Sequence, residues 1–282
     1  MNNNETVIDT HVHITPSFIL KDIDKYRKAE PYFDLLSSSP HNKNITGENL
    51  QKQMDKLGID KAVIFGFGFQ SMELCKKVND YIIKMVEKYP DDFIGFAVLK
   101  PGSPGVEKEL LRCKNAGLKG VGELFPRGQK FDITDKKSLA KIAEFCQQYN
   151  WPLLIHLNEP VGHYYKGKTE DSIKQGEKLA EHFPGTTFIY AHLGGGLCFY
   201  ELMPEMAEKL KNVFYDTAAV PFLYNKEVYK TLKTIGNINK IILGTDYPLI
   251  SPEKYINDIK KSGLNSDEVK KILHKNISQI IV

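Results

Sequence analysis

The sequence predicts a single-domain α/β protein, a (β/α)8 TIM-type barrel spanning residues 1–282, with a long connection after its first strand. Three observations predict it. Eight short, almost wholly apolar runs recur along the chain, amphipathic stretches separate them, and polar, metal-capable residues stand at or just beyond the carboxyl ends of five of the runs. The length suffices, since one such barrel needs about 250 residues.

In chain order the strand-like runs are Thr6–Asp9, Lys61–Phe65, Phe93–Val98, Gly120–Leu124, Pro152–His156, Thr187–Ala191, Val213–Asp216 and Lys240–Gly244. Continuous apolar runs of this kind belong to parallel strands covered on both faces. The helical stretches between them are Glu48–Leu57, Met72–Lys88, Val106–Ala116, Lys136–Tyr149, Ser172–His182, Tyr200–Leu210 and Lys226–Thr234, with Pro252–Lys261 and Asp267–His274 closing the series. Strands alternating with helices allow either a closed barrel or an open doubly wound sheet. The polar residues at the strand ends favour the barrel.

Local signals mark the boundaries. Ser251-Pro252-Glu253 offers an N-cap, a proline at the first helical position and an acid in the first turn. Asn265 and Glu268 have capping-box spacing. Gly58, Gly117 and Gly236 follow helical runs where a left-handed residue is wanted. The connection over residues 14–45 contains Pro16, Pro31, Pro40, a Ser37-Ser38-Ser39 run and the aromatic residues Phe18, Tyr26, Tyr32 and Phe33. So long a connection in a compact domain is usually functional, and it reads as a lid over the barrel mouth.

Composition excludes several classes. A net charge of +3 offers no nucleic-acid footprint and no anionic-membrane partner, and the lysine runs read as solvated helix faces. No stretch is apolar enough to span a membrane. Met1-Asn2-Asn3-Asn4-Glu5 has neither the basic patch nor the apolar run of a secretory signal, so the expected location is cytoplasmic. The Asn44-Ile45-Thr46 and Asn276-Ile277-Ser278 glycosylation patterns then carry no meaning. Cys75, Cys113, Cys146 and Cys198 are scattered without a Cys-x-x-Cys pair, which argues against disulfides and zinc ribbons. The expected partner is a small-molecule substrate, and a homo-oligomer is compatible with the chain.

His11 and His13 follow the first run, Glu123 lies on the fourth, His156 ends the fifth, His192 ends the sixth and Asp246 follows the eighth. Side chains two apart on a strand share a face, so His11 and His13 can hold one ion. A barrel of this kind gathers strand-end residues at one rim. Each residue alone has a bland reading: a core histidine at His156, a tight glycine turn around His192, a helix cap at Asp246. Their joint placement at strand ends is what points to a divalent metal centre.

The motifs Asp9-Thr10-His11-Val12-His13, Pro152-Leu153-Leu154-Ile155-His156, Tyr190-Ala191-His192-Leu193-Gly194-Gly195 and Gly244-Thr245-Asp246-Tyr247-Pro248 resemble those of the amidohydrolase superfamily, in particular its amidohydrolase 2 branch of metal-dependent hydrolases. The ending Lys275–Ile280 resembles that branch's final helix, and the resemblance runs from Thr6 onward. It implies that His11, His13, His156 and Asp246 bind metal, and that His192 binds a second metal or polarises the substrate. Glu123 stands where many members carry a carboxylated lysine, and resembles the Gly-Glu motif of TatD-type deoxyribonucleases. An inward Glu123 implies two ions, with His156 and His192 on the second; an outward one implies a single ion.

N/O ligands suit Zn²⁺ first, with Mn²⁺ or Fe²⁺ as alternatives. The implied reaction is attack of metal-activated water on a small amide, lactone or ester, with Asp246 moving the proton and His192 or the metal stabilising the oxyanion. Arg127, His163 and Tyr164 are candidate substrate contacts, Arg127 as a carboxylate or phosphate clamp; Lys100 and Tyr247 are weaker ones. Two other activities fit the fold: nonoxidative decarboxylation of a small carboxylic acid, and TatD-like phosphodiester hydrolysis, against which the lack of a basic groove counts. A non-catalytic relic has no reason to keep all six ligands.

Overall fold

The computed structural model describes residues 6–39, 43–168 and 172–281. Pro40 and the N-terminal pentapeptide lie outside them. Eight strands form one parallel sheet in sequence order: β1 (Ile8–His13), β2 (Lys61–Phe65), β3 (Phe93–Ala97), β4 (Gly120–Leu124), β5 (Leu153–Ile155), β6 (Phe188–Tyr190), β7 (Val213–Asp216) and β8 (Ile241–Ile242). The sheet rolls shut on itself. Beyond its pairing with β2, β1 donates from Thr10 N to Leu243 O (2.8 Å) and from His13 N to Tyr247 O (2.9 Å). This near-closure leaves little free sheet edge and directs all the carboxyl ends to one mouth.

The strands are short because each need only cross a packed interior, and nearly every residue in them is buried. The helices cover that interior with one face each. Met72–Lys88 buries Leu74, Cys75, Val78, Ile82 and Met85 at three- and four-residue spacing, and Ser71 caps it by accepting from Leu74 N at 3.2 Å. Each such side chain, fully buried, stabilises the fold by about 1.5–3 kcal/mol. The expected capping box of Asn265 and Glu268 is present, and Gly58, Gly117 and Gly236 adopt left-handed φ of 70°, 90° and 85°. Ser251 makes no side-chain cap, so Pro252 alone opens its helix.

Among the elements that differ from the sequence expectation, three bear on the mouth of the barrel. β1 continues through His13 instead of stopping at Asp9, since its backbone is paired on both sides that far. The expected helix Tyr200–Leu210 is reduced to Pro204–Lys209, because tight turns over His192–Leu202 run up to Pro204, which restarts the helix. The connection after β1 is not an open loop: it holds helices Ser17–Leu20, Ile23–Ala29 and Pro31–Ser37.

That helical segment is docked on the loops at the carboxyl face. Phe33 is buried against Phe67 and Phe69, at 5.4 and 5.3 Å between ring centroids. Glu30 accepts from Gln70 N and Ser71 N at 3.0 and 3.1 Å. Tyr32 packs edge-on against Phe125 at 4.6 Å and donates to Gly167 O at 2.6 Å. The segment thus touches the loops following β2, β4 and β5. All four cysteines are buried free thiols, and among the described residues no helix is long and apolar enough to cross a membrane.

Candidate metal centre

β1 brings His11 and His13 to the barrel axis with their Nε2 atoms 3.2 Å apart. Asp246 joins them from the turn after β8, its Oδ1 lying 3.3 Å from His13 Nε2 and 3.8 Å from His11 Nε2. Asp246 reaches this position in the left-handed region, at φ 58°. A non-glycine residue held there costs about 1–3 kcal/mol, which the surrounding packing has to offset.

Glu123 points inward from β4 and is only 6% exposed. Its Oε1 lies 2.8 Å from His156 Nδ1, while its Oε2 lies 3.6 Å from His11 Nε2 and 3.5 Å from His13 Nε2. His192 completes this side with Nε2 at 3.2 Å from His156 Nδ1. The turn after β6 runs through His192 to Gly196 at positive φ throughout. Gly195 has to be glycine for space as well, because a Cβ there would fall 2.1 Å from Asn158 O. The six residues thus form two converging donor groups, His11/His13/Asp246 and Glu123/His156/His192, with Glu123 facing both.

Outer partners decide which nitrogens carry protons. His11 Nδ1 lies 2.8 Å from Asp216 Oδ2 and His192 Nδ1 lies 2.9 Å from Ala218 O. Both partners only accept, so these nitrogens donate and leave Nε2 as a lone pair aimed at the cluster. His156 is turned the other way: Nε2 meets Asn158 Oδ1 at 3.1 Å, and Nδ1 faces Glu123.

Electrostatics agree with the geometry. Burial pushes the Glu123 carboxyl up, but His156 and His11 beside it hold it well below the usual carboxylate range. Asp246 is lowered to about 2, with burial outweighed by His13 and His11. Burial disfavours charge on His11, yet Asp216 and Glu123 raise it well above an ordinary histidine; His13 is raised by Asp246 and Glu123 in the same way. His192 is lowered, by burial and then by His156. A buried space that keeps its carboxylates ionised and draws protons onto His11 and His13 is one that seeks positive charge. Imidazole and carboxylate donors with converging lone pairs fit a divalent transition-metal ion.

Beside His156 opens a cavity of about 570 Å³ lined by Phe125, Arg127, Lys130, Phe131 and Leu157, among others. Exposed Arg127 donates from Nη1 to Lys168 O at 3.1 Å and also lines a second cavity of about 410 Å³ with Tyr32, Tyr164 and Lys168. Tyr164 is 82% exposed, and exposed His163 lies tilted against Tyr165 with ring centroids 5.9 Å apart. Lys100 is turned to the carbonyls of Gln129 and Lys130, and the Tyr247 hydroxyl to Gln53 Oε1 at 3.1 Å. Cys198 is buried, its thiol pushed up by burial, away from any nucleophilic form.

Sequence reasoning missed three supporting residues. Asp216 ends β7 as a carboxylate at a strand's carboxyl terminus, the very criterion that picked out the others. Asn158 stands two residues after His156. Asp9 is buried and accepts from His11 N, Thr245 N and Thr245 Oγ1, tying β1 to the turn that carries Asp246. Burial raises its carboxyl to about 7.

The family model described as Amidohydrolase matches residues 8–280. Solved structures with the same fold include a 5-carboxyvanillate decarboxylase from Novosphingobium aromaticivorans complexed with manganese (16% identity, TM-score 0.74, covering 99% of this chain and 97% of that one). The 4-oxalomesaconate hydratase of Rhodopseudomonas palustris is similar at 21% identity and TM-score 0.69, over 98% and 95% of the two chains. A probable 2-pyrone-4,6-dicarboxylic acid hydrolase from Acinetobacter baumannii is similar at 17% identity and TM-score 0.67, over 98% of each. With the family matched over nearly its whole length, the barrel and its two donor groups belong to one protein type: the chain is a member of the amidohydrolase family.

Proposed function

We propose that this amidohydrolase is a metal-dependent hydrolase of a small carboxylate-bearing lactone, ester or amide. The observation that carries the reading is Glu123, whose two oxygens face different donor groups. His11, His13 and Asp246 would hold one cation and His156 and His192 a second, with Glu123 shared between them. When bound, a divalent ion such as Zn²⁺, Mn²⁺ or Fe²⁺ supplies a Lewis acid and an acidified water.

The chain's own residues do the rest. Asp246, ionised at neutral pH, accepts a proton from the attacking water and returns it to the leaving group. His192, neutral because it is buried, stands beside the reacting centre as a ligand or as the group that polarises the substrate. Arg127 at the cavity beside His156 pairs with the substrate's carboxylate, and Phe125 and Phe131 cover its apolar part. The structural relatives act, by name, on carboxylated compounds, which agrees with a cationic, aromatic pocket.

A second reading is nonoxidative decarboxylation, favoured by the same juxtaposition of Arg127 and Lys130 with Phe125 and Phe131. One experiment separates the two. The metal-loaded protein is incubated in H₂¹⁸O with a panel of small carboxylated lactones, esters, amides and aromatic acids. Hydrolysis places ¹⁸O in the organic product; decarboxylation releases CO₂ and leaves the remaining organic product without ¹⁸O. Loss of CO₂ as the sole reaction overturns the hydrolase reading.

A further inference from the structure

The loop leaving β5 carries a run of polar groups that the reaction above does not use, each within hydrogen-bond reach of the next. Lys168 Nζ lies 3.2 Å from Glu159 Oε1, and the two side chains are only 10% and 12% exposed. The other Glu159 oxygen lies 3.4 Å from Tyr165 Oη. Tyr165 Oη lies 2.8 Å from Asn158 Nδ2, and Asn158 Oδ1 lies 3.1 Å from His156 Nε2. Lys168 Nζ also reaches the carbonyls of Val161 and His163, which folds the loop around it.

The outer end fixes the direction of every bond. Lysine has only donors, so Glu159 accepts from it as a carboxylate. Tyr165 therefore donates its proton to Glu159, and its oxygen is left to accept from the Asn158 amide nitrogen. That leaves Asn158 Oδ1 to accept from the Nε2–H of His156. A reversed amide would set Oδ1 against a hydroxyl oxygen whose proton is already engaged.

We propose that Tyr165 and Glu159 are positioning residues that lock the amide of Asn158 and so keep the Nδ1 lone pair of His156 turned towards Glu123 and His192. This rests on the reading that those three residues hold a cation. The Lys168 carbonyl receives Arg127 Nη1 at 3.1 Å, so one strip of chain serves both the ligand side and the substrate side of the mouth.

The test is calorimetric titration of Zn²⁺ into the chelator-treated full chain. Outer hydrogen-bond partners of metal ligands are worth about 10–100-fold in affinity, so Tyr165→Phe weakens one ion by that factor and leaves the other within about twofold. Adding Asn158→Asp to Tyr165→Phe restores the lost affinity to within about threefold of the unaltered protein, because a carboxylate accepts from Nε2–H in either orientation. Unchanged affinities in Tyr165→Phe overturn the proposal. So does a loss that Asn158→Asp fails to restore, which would make Tyr165 a mere prop of the loop. If the unaltered protein takes up no Zn²⁺, the ligand assignment itself falls and this inference with it.

Discussion

Asp216 holds His11 through Oδ2 at 2.8 Å and, through Oδ1, accepts from the backbone nitrogens of His192 (2.9 Å) and Ala218 (3.0 Å). One buried carboxylate at the end of β7 thus sets the proton on His11 in one donor group and the backbone of His192 in the other.

Asp216→Asn tests that arrangement. Its amide oxygen has to stay on the two backbone N–H groups, which turns the NH₂ towards His11 Nδ1. The imidazole then carries its proton on Nε2, facing the cluster. Zn²⁺ affinity should fall about 10–100-fold; affinity within a factor of two of the unaltered protein shows that Asp216 does not set the tautomer.

Glu123→Gln should reduce bound metal from two equivalents to one or fewer, counted by elemental analysis of protein purified without chelator. Two equivalents retained means that Glu123 is not shared.

Gly244 sits where a Cβ would fall 2.8 Å from the Cβ of His11 and 3.0 Å from that of Asp216. Gly244→Ala should cost about 1–3 kcal/mol in urea unfolding, from overpacking between two side chains that cannot retreat. Unchanged stability implies that the strands shift freely there.

Arg127→Ala should raise KM for a carboxylated substrate about tenfold or more, with kcat changed far less, as expected for a group that binds ground and transition states alike. Equal losses in kcat and kcat/KM would place Arg127 in the transition state instead.

Acid sensitivity should arise partly outside the site. Glu109, 3% exposed, accepts from Arg112 Nε and Nη2 at 2.9 and 2.7 Å and from Asn79 Nδ2 at 2.9 Å. Burial pushes its carboxyl up, but those hydrogen bonds outweigh burial and hold it below 4.5. A folded-state pKa below the unfolded one stabilises the protein above about pH 4.5 and loses that contribution as the pH falls through the folded value. Glu109→Gln should therefore cost about 1.5–3 kcal/mol at pH 7, and the cost should shrink steadily below pH 4.5. A pH-independent difference contradicts the assignment.

The barrel and its donors were legible because both leave local marks: strand-length apolar runs, and a histidine or carboxylate at their ends. Glu123 showed its type but not its direction, since facing inward depends on closure of the sheet around it. Asp216 carried the strand-end mark and was passed over, while the role of Asn158 stayed hidden because it acts on another side chain, through a contact that the β5 loop acquires only once folded. The helices over residues 17–37 were hidden by proline and serine content, and Phe33 and Glu30 dock them by contacts remote in sequence. Tyr164 and His163 were read as candidate substrate contacts from their place after β5; the loop turns around Lys168 with both exposed, and Tyr164 lines the second cavity.

The meeting of β1 with the turn after β8 has a consequence for the order of assembly. His11 and His13 lie near the beginning of the chain and Asp246 near its other end, on opposite sides of the line where the sheet closes. During synthesis His11 and His13 therefore emerge long before Asp246 exists, and until then β1 has a neighbour on one flank only. Joining the last strand finishes the wall and the donor set in a single event, so a cation bound there would act as a rivet across the seam. Metal uptake should then report completed folding, not merely precede catalysis.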